Sequence, residues 1–371
     1  MNLYLIIFCL IFLIYSFEIY QSNNSSLTKK YNFSISSIIF LILSILIGFR
    51  DVIGSDYGSY YLDYIYMEDH YSLHNSFKTQ SLDLIYEYLS FFLIFLNLPF
   101  DYLNLLIGSI LIYSVLYFAN KEKDYLIIIL IFLSYHYLVL GMGYTRQGLS
   151  IAFILFYIHF WRNEKLLLSL VFIILAVLSH KFAIVSAFLI FIRPRGSWFY
   201  FNKYFYLILF SFLIFLFVKI FENKSIIDYY NVYTLEHSLG STYRTLGYSL
   251  CSLLFFSKKS LFKNRLDYRY LYLSSIIFIG SFFLSFILST IADRLASYFL
   301  PSVFIILANI PFGYKKISSS VIRLILVIGL FSHLFFWTNF SNQSSLYVPY
   351  KMIDYPGIKA SPYKDVIKYC C

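Results

Sequence analysis

Apolar stretches of 11 to 21 residues alternate with short polar connections along nearly the whole chain. A membrane span needs about 20 apolar residues, or fewer where flanking Tyr, Lys and Arg reach the interface. The pattern predicts spans at Leu3–Phe17, Phe33–Phe49, Tyr102–Ala119, Tyr125–Leu140, Leu149–Trp161, Leu166–Ser179, Phe182–Ile192, Tyr204–Ile220, Leu246–Phe256, Tyr270–Thr290, Leu295–Ile310 and Val321–Thr338. Ser81–Leu98 reads differently. Asp83 and Glu87 lie four apart, on one helical face, with Leu and Phe on the other. An amphipathic helix lying at the outer interface is expected there. Leu166–Ile192 is expected to be a hairpin with Ser179-His180-Lys181 at its outer turn. A single helix of that length would bury His180 and Lys181 at mid-membrane, at a cost. The expected fold is all-α and polytopic, with about 12 transmembrane helices. It forms a single integral membrane domain over residues 1–371, with an outer loop 50–101 and a C-terminal tail 339–371.

Composition agrees. Sixty per cent of the 371 residues are hydrophobic and 13% charged, with mean hydropathy +0.72. A soluble chain would carry nearly twice that charged fraction. The net charge of +10 is spread over short loops, which argues against nucleic acid as a partner. Cys9, Cys251, Cys370 and Cys371 have no metal-ligand spacing with His, and Leu3–Phe17 lacks a basic leader and cleavage site. It reads as a retained span.

Sidedness follows from the lysines and arginines of short loops. One face collects 17 of the 29 basic residues and only five of the 19 acids (Glu18, Glu122, Asp124, Glu164, Asp267). That face is read as cytoplasmic. Arg50, Asp56, Arg146, His180, Lys181, Asp293 and Arg294 then fall at outer ends of spans. Desolvating such groups costs several kcal/mol unless they are paired or bind a ligand.

Each has a bland reading. Arg50 and Asp56 pair with each other; Arg146 snorkels; Asp293 and Arg294 form an ion pair that caps a hairpin; His180 is an interfacial histidine. Together they suit one chemistry. Arginine forks match phosphate oxygens and stay charged, which fits a lipid-linked diphosphate and its departure as a leaving group. A histidine, with its ordinary pKa of about 6.5, or a carboxylate can deprotonate an attacking hydroxyl. Tyr57, Tyr60 and Tyr61 offer flat faces for sugar rings. There is no Asp-x-Asp motif, no Cys/His grouping and no Gly-rich nucleotide loop, so neither metal nor cofactor is expected.

At these residues the chain resembles the EpsG-like family, related to Wzy-type O-antigen and capsule polymerases. Gly48-Phe49-Arg50 with Gly54-Ser55-Asp56-Tyr57 and Tyr60-Tyr61 is similar to the family's arginine and Gly-Thr-Asp-Tyr pattern. Arg146-Gln147-Gly148-Leu149-Ser150-Ile151-Ala152 resembles its Arg-Gln-Gly helix start. Leu178-Ser179-His180-Lys181-Phe182-Ala183 resembles its outer histidine turn, and Asp293-Arg294-Leu295-Ala296-Ser297-Tyr298-Phe299 its Gly-Arg-Leu-x-x-Tyr-Phe segment. Pro349-Tyr350-Lys351 is a fifth, weaker likeness. Ser55, Phe182 and Asp293 depart from the common Thr, Ser and Gly.

The resemblance implies a bacterial inner-membrane sugar polymerase of GT-C-like architecture with its active site on the periplasmic or extracellular face. Its substrate would be an oligosaccharide on undecaprenyl diphosphate, and its partners the lipid bilayer and a chain-length regulator. Arg50, Arg146 and Arg294 are expected to bind the diphosphate, supplemented by Lys181, with Tyr57 and Tyr60 beside the substrate. His180 is the first candidate for base and Asp56 the second. A single-addition transferase using a polyprenyl-phosphate sugar is the enzyme alternative. A flippase or other transporter is the non-enzyme one, although neither mid-membrane charges nor an internal repeat is evident.

Overall fold

Apolar runs leave the backbone few partners but itself, so the chain is helical. The computed structural model describes residues 2–21, 28–69, 83–192, 194, 240–313 and 318–353. Every regular element among the described residues is helical, and the β-type pairing there is an isolated antiparallel bridge between Arg50 and Met352. The chain divides into two compact units, Met1–Ala152 with Tyr314–Cys371, and Phe153–Gly313. The boundary falls inside one helix.

In the first unit, α1 (Leu3–Gln21), α2 (Thr28–Gly48), α3 (Tyr57–Asp69), α4 (Leu84–Phe95) and α5 (Phe100–Ala119) precede α6 (Tyr125–Ile131). α6 runs on without a break into a π-helical stretch, Phe132–Gly143, and the combined segment is buried throughout. α2 packs along α5, and α1 packs on α6. α7 (Thr145–Arg162) begins two residues after the π stretch. Beyond the second unit, Ser319–Phe340 forms the last long helix of the first unit and packs on α1 and α6.

The second unit takes the rest of α7, then α8 (Leu166–Ser179). α8 stops where His180 is extended, with φ −159° and ψ 119°. Two 3₁₀ turns, Lys181–Ala183 and Phe188–Phe191, flank α9 (Ile184–Ala187). α10 (Ser241–Ser257), α11 (Lys259–Phe262), α12 (Tyr268–Leu284), α13 (Ser289–Ser297) and α14 (Leu300–Asn309) follow, with α10 lying along α12 and α13. The last long helix, Ser319–Phe340, is α15.

The expected hairpin break at His180 is present, and so is a helix, α4, within the run expected to lie at the interface. The described residues do not establish the expected count of about 12 spans. Among the described residues three helices are long and apolar enough to cross a membrane: Phe100–Ala119, Tyr125–Gly143 and Ser319–Phe340. A bent pair, Ser289–Ser297 with Leu300–Gly313, makes a fourth if it is one span. A 14-residue helix such as Leu166–Ser179 rises about 21 Å, short of a hydrocarbon core of about 30 Å. The expected span Tyr204–Ile220 lies outside the described residues. Leu295–Ile310 is not one helix: the chain bends by 59° between α13 and α14. Pro301 in the first turn of α14 suits a helix start, because its missing N–H has no partner there anyway.

Candidate functional site

Five of the expected site residues sit in the first unit. Arg50 is fully buried and closes the turn after α2. Its Nε donates to Ile53 O at 2.9 Å, Nη2 to Asn104 Oδ1 at 3.0 Å, and Nη1 to Ile47 O. The Ile47 carbonyl lies in the last turn of α2, where a cation satisfies an orphan acceptor and suits the helix dipole. Tyr57 stacks its ring 5.5 Å from the Arg50 guanidinium and sits edge-on to Phe100. The turn is tight: Val52 has φ 48°, a region β-branched residues avoid, and Gly54 has φ 115°. A side chain at Gly54 would overlap the Met142 carbonyl.

Asp56, the residue before α3, and Tyr60 and Asp63 within it follow at spacings of four and three, which share one helical face. The Tyr60 hydroxyl donates to Asp56 Oδ2 at 3.4 Å. Arg146, one residue into α7, lies over the same face. Its guanidinium carbon is 4.8 Å from the Tyr60 ring centre and 4.7 Å from that of Tyr86 in α4. Nη2 donates to Asp63 Oδ2 at 2.6 Å, and Nη1 lies 3.5 Å from Asp83 Oδ2. Nε is buried with no hydrogen-bond acceptor. Burial works against the Arg146 charge, but the tyrosines, Asp83 and Asp63 outweigh it and hold the guanidinium protonated. The Tyr60 hydroxyl is pushed well above the usual phenol range, by burial first and by Asp56 second. Asp63 is 53% exposed, so this pair opens towards the surface.

The other three residues sit in the second unit. The Tyr298 hydroxyl oxygen lies 2.6 Å from His180 Nδ1. The His180 ring stacks on Phe182 at 5.8 Å, and the Arg294 guanidinium lies 5.4 Å from the same Phe182 ring. Phe182 thus joins His180 and Arg294 through its two neighbours. Lys181 opens the 3₁₀ turn directly after His180. Asp293 does not pair with Arg294 to cap a hairpin, as one bland reading had it. Both residues are within α13, and consecutive helical positions point in different directions. Asp293 instead takes a two-pronged pair from Arg244, Nε to Oδ1 and Nη2 to Oδ2, both at 2.8 Å.

Asp63, Tyr86 and Arg244 are contributors that the sequence reading did not name; Asp83 it placed only on the polar face of the interfacial helix, and Tyr298 only within a family motif. The helical spacing of Asp56, Tyr60 and Asp63 was the available signal for Asp63. The sequence also holds a His-x-x-x-His spacing, His70 and His74, which the sequence reading missed; both lie outside the described residues. Among the described residues no group of three His, Cys, Asp or Glu side chains is placed to hold a metal ion.

The helical, apolar scaffold and these polar clusters at helix ends describe an integral membrane protein. The model of the EpsG family matches residues 33–352, most of the chain, and the protein belongs to that family. No curated protein and no solved structure gave a match.

Proposed function

We propose that the protein is a polysaccharide polymerase of the outer face of the bacterial inner membrane, acting on oligosaccharide units carried by undecaprenyl diphosphate. A sugar hydroxyl of one lipid-linked unit attacks the anomeric carbon of another. The C–O bond to the diphosphate breaks, and undecaprenyl diphosphate leaves with the electron pair. The hydroxyl proton passes to a base, His180 or Asp56.

Arg146 carries this reading. It is charged, bracketed by two aromatic rings and held at its edge by a half-exposed carboxylate that a phosphate oxygen can replace. Arg146 and Arg294 are assigned to the diphosphate, with Lys181 supplementing them. Such charge-assisted donors stabilise the negative charge that builds on the leaving group. Tyr57 and Tyr60 are assigned to the substrate side of α3. Arg50 is reassigned: its donors are committed to carbonyls and Asn104, so it holds the turn that presents Asp56. α4 exposes Leu84, Tyr88, Phe92 and Phe95, an apolar face that suits the lipid surface.

The test is a purified-enzyme assay with a defined lipid-linked repeat unit. The expected product is a ladder of chain lengths and free undecaprenyl diphosphate. A single product per acceptor would point instead to a single-addition transferase, and transport without bond formation would sink the enzyme reading.

A further inference from the structure

The segment after α15 is tied into the Arg50 turn. The Gly54 N–H donates to Leu346 O, Asp51 N–H to Lys351 O, and Ile353 N–H to Phe49 O, all at 3.0 Å. The Tyr350 hydroxyl donates to Leu46 O at 3.0 Å. Tyr347 lies at the centre of this strap. It is buried, its ring is edge-on to Trp337 at 5.3 Å, and its carbonyl accepts from the Tyr4 hydroxyl at 2.9 Å. Its own hydroxyl reaches Ser55 Oγ at 3.4 Å and lies against Gly143, where a Cβ would overlap it. Ser55 precedes Asp56, and Gly143 lies three residues before Arg146. One oxygen therefore touches both approaches to the cluster.

We propose that Tyr347 is a positioning residue whose hydroxyl spaces the Ser55–Asp56 turn from the Gly143 end of the π-helical stretch, and so fixes Asp56 relative to Arg146. The inference rests on reading the Asp56–Arg146 cluster as part of the polymerase site. It makes Gly143 the complement of Tyr347: the missing side chain is the space that the hydroxyl fills.

The experiment compares Tyr347→Phe, Gly143→Ala and the double variant in the full-length enzyme, with kcat and KM measured per folded protein. A misplacement of about 1 Å can cost about 100-fold in rate. Gly143→Ala, which forces the hydroxyl aside, is expected to lower kcat by about that factor. Tyr347→Phe is expected to lower kcat by about 10-fold, with KM within about twofold, because the ring stays in place. The double variant should recover most of the way to the Tyr347→Phe level, since phenylalanine lacks the one atom that overlaps the new methyl, leaving Ser55 Oγ at 3.3 Å and the ring carbon at 3.4 Å. Wild-type kcat in Tyr347→Phe, or additive losses in the double variant, overturns the proposal. Should Tyr347→Phe fail to accumulate, Ser55→Ala probes the same contact from the other side, and wild-type kcat there is equally fatal. Arg146→Ala runs alongside. If it still polymerises, the site reading fails whatever Tyr347 does. If it is inactive while Tyr347→Phe is unaffected, only the positioning role fails.

Discussion

The turn at Arg50 and the head of α7 at Arg146 look alike in sequence, each an arginine near glycines at the edge of an apolar run. Their surroundings are opposite. Arg50 is sealed in, and its donors end on two backbone carbonyls and an amide. Arg146 is partly open and meets two carboxylates and two rings. Backbone carbonyls cannot leave without unmaking the turn, whereas a half-exposed aspartate can be displaced by another anion. An arginine at a span end is therefore a fastener or a binding group according to what it touches.

The largest expected effect breaks this comparison most directly. Arg146→Ala should abolish chains longer than one repeat unit while leaving folded protein in the membrane; normal ladders would sink the assignment. Arg50→Ala should do the reverse first. It leaves buried acceptors unpaired, with an expected loss of about 3 kcal/mol or more, read as a lower thermal midpoint and less accumulated protein. Arg50→Lys should not rescue it, because an ammonium cannot span the same acceptors. A stable, well-accumulated Arg50→Ala protein would show the turn holding itself.

The second unit offers a control at Asp267. It is buried and receives Arg265 Nε at 2.9 Å and Arg162 Nη1 at 3.2 Å. Burial alone would raise its pKa, but the two arginines hold it below the usual carboxylate range. Its folded pKa lies below the unfolded value, so its contribution is present above about pH 4 and lost as pH falls through the folded value. Asp267→Asn should cost about 3 kcal/mol at neutral pH and flatten the acid limb of a stability–pH curve. An unchanged acid limb would assign acid sensitivity elsewhere. Tyr298→Phe removes the oxygen beside His180 Nδ1. If His180 is the base, activity should fall about 10-fold with a displaced pH profile; an unmoved profile favours Asp56. Asp63→Asn is expected to have the smallest effect on stability, within about 1 kcal/mol, because the pair is partly exposed. It sharpens the comparison by showing whether Arg146 works without its displaceable partner.

Much of this was legible beforehand. Apolar periodicity located most helices, and the cost of burying His180 and Lys181 located the break after α8. The ion pairs Arg146–Asp63, Arg146–Asp83, Arg244–Asp293, Arg162–Asp267 and Arg323–Asp124 each join residues that the predicted spans and the charge rule together assign to one face. Span number was less legible, because runs of 11 to 16 apolar residues do not by themselves distinguish a crossing from a shorter buried helix. α3 was missed because its tyrosines give no clear apolar stripe, and its fit against Tyr86 and Phe100 depends on neighbours distant in sequence. For the same reason no local pattern separated Arg50 from Arg146, or paired Asp293 with Arg244 rather than with its chain neighbour.

The hydrogen bond from Gly54 to Leu346 also has a meaning in time. The Arg50 turn leaves the ribosome with its strap not yet made, and about 290 residues must follow before Leu346 arrives. At about 5–20 residues per second that is a wait of roughly 15–60 s. Through that interval Asp51, Gly54 and Phe49 lack the backbone partners that the strap later supplies. A chain cut short after α15 would hold every long helix described here and still lack the closing stitch, so synthesis itself sets the moment at which this turn is completed.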